Sequence, residues 1–121
     1  MARVLIVDDS KMMRTLEKSM LEKMGHEVVD EATNGLDGYD KYFALKPDIV
    51  LIDMTMPIMD GVTTIQKMIQ KDKDAKIILI TSNTQNEKLK NAVEAGVSEI
   101  VFKPIDEEQL KNTIEQILSK K

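Results

Sequence analysis

The sequence predicts an α/β protein of the (βα)5 kind, a five-stranded parallel sheet with helices on both faces. Five short runs rich in Ile, Val and Leu recur along the chain, with helix-period patterns between them. The runs show little polar alternation, as expected of strands covered on both sides. A length of 121 residues with 42% hydrophobic content suits one domain, which buries roughly two-thirds of its unfolded surface.

The first strand is Val4-Leu5-Ile6-Val7. Met13, Leu16, Met20 and Met24 then recur at helical spacing until Gly25 supplies a stop. Val28 and Val29 mark a short second strand. Leu36, Tyr39, Tyr42 and Phe43 give the inner face of a second helix, which ends before Lys46-Pro47 because the residue preceding proline disfavours the α region. Ile49-Val50-Leu51-Ile52 is the third strand, and Asp53 sits at its carboxyl end. Pro57, Asp60 and Gly61 mark the turn that follows, with Asp60 starting a helix whose inner residues are Val62, Ile65, Met68 and Ile69. Lys71-Asp72-Lys73-Asp74 reads as a solvated turn before the fourth strand, Ile77-Ile78-Leu79-Ile80, which ends at Thr81. Leu89, Ala92 and Val93 back a fourth helix stopped by Gly96. The fifth strand, Ile100-Val101-Phe102, ends at Lys103-Pro104, and Asp106 caps a last helix with Leu110, Ile114, Ile117 and Leu118 inward. With no linker or repeat, residues 1–121 are expected to form a single domain.

Composition excludes several function classes. There is no Cys, no leader with a small-residue cleavage site and no apolar stretch near the ~20 residues of a membrane span, so a cytoplasmic protein is expected. The net charge of −4 comes from 17 basic and 21 acidic residues without a basic stripe, and only 3% of residues are aromatic, so nucleic-acid binding has little support. His26, the only His, has no partner for a zinc site and is expected in a surface loop.

Parallel strands joined by right-handed crossovers put all their carboxyl ends on one edge. That edge collects Asp8, Asp9, Asp53, Thr81 and Lys103. Two carboxylates about 4 Å apart repel by roughly 4 kcal/mol at an effective dielectric near 20, so three of them require a cation or a proton. A hard divalent ion suits carboxylate oxygens, a backbone carbonyl and retained waters, which points to Mg²⁺. Lys103 and the Thr81 hydroxyl would hold a doubly charged anion beside it, and a carboxylate attacking phosphorus in line would form an acyl phosphate.

Val7-Asp8-Asp9-Ser10, the segment Asp53 to Gly61, Thr81-Ser82 and Lys103-Pro104 resemble, in order and spacing, the signatures of receiver domains of two-component response regulators. The resemblance runs the length of the chain and implies the doubly wound, flavodoxin-like sheet of strand order 2-1-3-4-5. It further implies that Asp53 is the phosphoacceptor, that Asp8, Asp9, Asp53 and the Thr55 carbonyl hold Mg²⁺, and that Thr81 and Lys103 bind phosphoryl oxygens. The implied donor is a phosphohistidine on a histidine kinase or histidine phosphotransfer protein. The implied product is a switch that catalyses its own phosphorylation and dephosphorylation, with no turnover of an external substrate. Asp9-Ser10-Lys11-Met12-Met13-Arg14 is similar to the opening of single-domain chemotaxis regulators, although an isolated receiver of another phosphorelay shares these features.

One departure concerns output. Many receivers carry an aromatic residue three positions before the strand-five Lys, where this chain has Ile100, so the aromatic rotamer switch is absent. Output through the helix four, strand five and helix five face then needs another reporter. Phe102 alternates onto the side of Ile100, though a core role for it is the simpler expectation. Polar residues there, among them Gln85, Lys88 and Gln109, suit a solvated surface or a polar interface equally well, and a monomer is expected. Thr55 and Asn83 lie two residues beyond Asp53 and Thr81, where the family tunes hydrolysis; the phosphoryl group is expected not to be exceptionally long-lived. Two rivals remain. A haloacid-dehalogenase-like phosphatase needs an Asp-x-Asp after the first strand, which Asp8-Asp9-Ser10 does not provide; a non-phosphorylated scaffold would not need the intact acidic, Thr and Lys positions.

Overall fold

The computed structural model describes residues 1–82 and 86–119. Strands and helices alternate as β1 (Arg3–Val7), α1 (Lys11–Lys23), β2 (Glu27–Ala32), α2 (Gly35–Leu45), β3 (Ile49–Asp53), α3 (Gly61–Lys71), β4 (Ile77–Thr81), α4 (Asn86–Ala95), β5 (Glu99–Phe102) and α5 (Glu107–Ser119). The strands form one parallel sheet in the order β2-β1-β3-β4-β5. Among the described residues no helix is long and apolar enough to cross a membrane.

Alternation along each strand divides the core in two. Leu5, Val7, Val50, Ile52, Ile77 and Leu79 pack with Tyr42 of α2, Ile65 and Met68 of α3 and Ala92 of α4. Val4, Ile6, Ile49, Leu51, Ile78, Ile80 and Val101 pack on the opposite face, with Met20 and Leu21 of α1 and Leu110, Ile114 and Ile117 of α5. All residues of β3 and β4 are buried, as their unbroken apolar runs require.

The helix starts are built as their sequences predict. Asp60 Oδ1 accepts from Thr63 N at 2.8 Å, and Asp106 Oδ1 accepts from Glu108 N at 2.9 Å. Ser10 and Asn34 cap α1 and α2 in the same way. Gly25 and Gly96 follow their helices with φ of 88° and 101°.

Several expectations change. β2 spans six residues rather than the Val28-Val29 pair, because an edge strand tolerates charged side chains on both its faces, Asp30 pairing with Lys41 of α2 at 3.5 Å and Glu31 with Arg14 of α1 at 3.0 Å; its register with β1 slips between Val4 and Leu5. Leu36 of α2 is exposed, because α2 approaches β1 through Gly38, where a Cβ would lie 2.8 Å from Val7 Cγ1. Leu16, Val93 and Leu118 also face outward. The turn after α3 is more than solvated charge, since Asp72 Oδ2 accepts from Tyr42 Oη at 2.6 Å. His26 is half-buried, and its Nδ1 accepts from Ala2 N at 3.0 Å, which fastens the start of β1. Phe102 is exposed at 42%, so the core role expected for it fails, while Ile100 packs against the α3/α4 side of the core.

Candidate functional site

β1 and β3 deliver their acidic residues to the same edge of the sheet. Asp8 N donates to Ala32 O at 3.0 Å, so the β1–β2 ladder runs through Asp8 and holds its backbone. Arg14 Nη1 donates to Asp8 O at 2.9 Å while its Nε donates to Glu31 Oε1 at 3.0 Å, bracing the loop between β1 and α1. Asp8 Oδ1 accepts from Ser10 N at 2.9 Å; Asp8 Oδ2 is buried and has no hydrogen-bond partner among the described residues. Asp9 is exposed. One ligand oxygen from each of Asp8, Asp9 and Asp53 lies within 4.8 Å of the others.

Asp53 is 7% exposed, and its Oδ1 accepts from Lys103 Nζ at 3.1 Å. The backbone of Lys103 is tied in by its N–H donating to Thr81 O at 2.9 Å. Thr81 is buried, and its hydroxyl lies 3.5 Å from Met54 Sδ. Asp8, Asp53 and Lys103 continue the strand rows that face α1 and α5, whereas Thr81 continues the Ile77-Leu79 row facing α3 and α4. Lys103 and Thr81 thus reach the carboxyl edge from opposite faces of the sheet. Thr55 is exposed in the turn after β3 and lines a cavity of about 360 Å³ together with Asp60, Thr63 and Lys88. Asn83 and Gln85 lie outside the described residues.

Burial pushes the Asp8 carboxyl above the usual carboxylate range; the Ser10 N–H opposes this, and repulsion from Asp53 adds to it. Burial likewise raises Asp53, with Lys103 pulling the other way. Lys103 therefore does not fully offset the burial of Asp8 and Asp53. The orphaned Asp8 Oδ2 and an all-oxygen donor set fit a hard divalent cation.

Glu17 is absent from the expected set. It is 1% exposed on α1, its Oε2 has no hydrogen-bond partner among the described residues, and burial, reinforced by Asp8, pushes its carboxyl up to about 8. Its spacing to Met20, Leu21 and Met24 places it on the inner stripe of the helix. An ionisable residue on a buried stripe leaves no mark in the apolar periodicity of Met13, Leu16, Met20 and Met24.

The family model for the response regulator receiver domain matches residues 4–115. The chain belongs to that family: it is a receiver of two-component signalling, a class that works generally by Mg²⁺-dependent phosphotransfer from a histidine kinase to the receiver, which then acts on downstream effectors. Within it, the chain is a CheY-like regulator. It is 39% identical to the chemotaxis protein CheY of Thermotoga maritima, over 95% of this chain and 96% of that one. It is 38% identical to CheY of Bacillus subtilis, over 97% and 98%. A chain in the crystal structure of the CheX-CheY-BeF3-Mg²⁺ complex from Borrelia burgdorferi superposes with a TM-score of 0.93 at 29% identity, covering 98% of this chain and 90% of that one.

Proposed function

We propose that Asp53 is the phosphoacceptor of a chemotaxis switch, in which residues 1–121 act as one receiver domain. The observation that carries this is the contact of Lys103 Nζ with Asp53 Oδ1 at 3.1 Å, beside Asp8 and Asp9 on the sheet's carboxyl edge. Asp53 attacks the phosphorus of a phosphohistidine; the new O–P bond replaces the N–P bond, and the imidazole leaves. Lys103 exchanges its Asp53 oxygen for a phosphoryl oxygen, and the Thr81 hydroxyl donates to another. Asp8, Asp9, Asp53 and the Thr55 carbonyl would hold Mg²⁺, which would supply charge neutralisation for the transferring group. Hydrolysis of the acyl phosphate at Asp53 resets the switch.

The donor is a histidine kinase or histidine phosphotransfer protein in the cytoplasm, and the output surface is the α4/β5/α5 face of a monomer. With Ile100 in place of an aromatic ring, exposed Phe102 is the aromatic side chain at the site end of β5 able to report the change. The test is incubation with Mg²⁺ and acetyl phosphate or phosphoramidate, followed by intact mass. The expected result is a gain of one phosphoryl group, abolished by chelator and by Asp53→Asn. No gain from these donors or from a phosphorylated histidine donor would refute the reading in favour of a scaffold.

A further inference from the structure

A carboxylate that the phosphotransfer scheme does not use lies behind Asp8. Glu17 shares the buried stripe of α1 with Met20 and Leu21, against the sheet rows Val4-Ile6 and Ile49-Leu51. Asp8 and Asp53 extend those two rows to the sheet's carboxyl edge. α1 begins at that edge, and helical side chains tilt toward the helix N-terminus, so Glu17 is aimed at the floor of the acidic cluster. The charges acting on it are those of Asp8, Lys103 and Asp53, all members of the site. Glu17 Oε2 and Asp8 Oδ2 are, among the described residues, the buried side-chain oxygens with no hydrogen-bond partner. A leucine at position 17 would fill the stripe without leaving such a group unmet, so the carboxyl group has a use beyond packing.

We propose that Glu17 is a positioning residue for the divalent cation, acting through water on the ion that Asp8 holds and strengthening its retention. This rests on the reading of Asp8, Asp9 and Asp53 as an Mg²⁺ site. Mg²⁺ bound by few carboxylates keeps several waters, and those waters are donors of the kind both orphaned oxygens lack. Residues that orient a metal's ligands in this indirect way typically change affinity about 10–100-fold.

The experiment is calorimetric titration of MgCl₂ into the wild type, Glu17→Gln and Glu17→Leu, with thermal unfolding of each in chelator and in saturating Mg²⁺. The expected result is an Mg²⁺ Kd raised at least about 10-fold in both variants, and a smaller Mg²⁺-induced rise in Tm. Glu17→Leu is expected to be the more stable protein in chelator. A merely structural role would move Tm in chelator and leave Kd alone. Wild-type binding matched by both variants would overturn the role of Glu17 while leaving the cation site standing. Absence of Mg²⁺ binding by the wild type would overturn the cation reading, and this inference with it.

Discussion

Replacing Gly61 by alanine tests whether the turn after β3 holds Asp53 in place. Gly61 opens α3, and its N–H donates to Met54 O at 2.8 Å. A Cβ on Gly61 would lie 2.3 Å from Asp53 O and 2.9 Å from Met54 Cα. Both neighbours are backbone of the segment that carries Asp53, so no rotamer change relieves the clash. The tighter contact has to open from 2.3 Å to at least 3.0 Å. Overpacking usually costs about 1–3 kcal/mol, and the rigidity of both partners puts this case near the top of that range. For a domain of this size, that is a fall in Tm of roughly 10–15 °C. The opening also shifts Asp53 against Lys103, and a misplacement approaching 1 Å lowers the rate of a positioned reaction about 100-fold. Gly25→Ala is the control. It meets nothing within 4 Å but has φ of 88°, so it costs about 1 kcal/mol of backbone strain and leaves the site untouched. Thermal unfolding by circular dichroism and a phosphorylation time course by intact mass read the two effects. Gly61→Ala with no larger loss than Gly25→Ala in stability, and a wild-type phosphorylation rate, would refute the reasoning.

Three further outcomes are expected. Ile58 is a β-branched residue at φ of 69° with 77% of its surface exposed, so Ile58→Gly should stabilise the fold by about 1 kcal/mol in urea unfolding. Tyr42→Phe removes a 2.6 Å hydrogen bond to Asp72 and should cost about 1–2 kcal/mol by the same measurement. In chelator, Glu17 keeps its proton in the folded protein up to about pH 8, whereas the unfolded chain releases it near 4.5. The folded state therefore binds more protons between those values, and stability falls as pH rises through that window. The slope from this group is up to about 1.4 kcal/mol per pH unit, and Glu17→Leu should remove it; equal slopes in the two proteins would count against a buried Glu17.

The order of elements and the edge on which the site forms were legible in the sequence, because strand and helix periods, helix caps and the Gly and Pro stops are local signals. Ile49 to Ile52 reads as a doubly covered strand without reference to any other segment, and parallel topology then puts Asp53 beside Asp8 and Lys103. The strand order was legible only through family resemblance, since nothing within a run of Ile and Val says which run it pairs with. Tertiary packing decided which side of each helix is buried. Leu16 and Val93 have the hydrophobicity of core residues, yet the direction from which α1 and α4 meet the sheet leaves them outside. Leu36 is displaced because Gly38 lets α2 approach Val7 closely. The same geometry carries Glu17 inward against the cost of burying a carboxyl, which no local pattern of apolar residues indicates. A helix's sequence offers several possible faces, and only the position of its neighbours selects one.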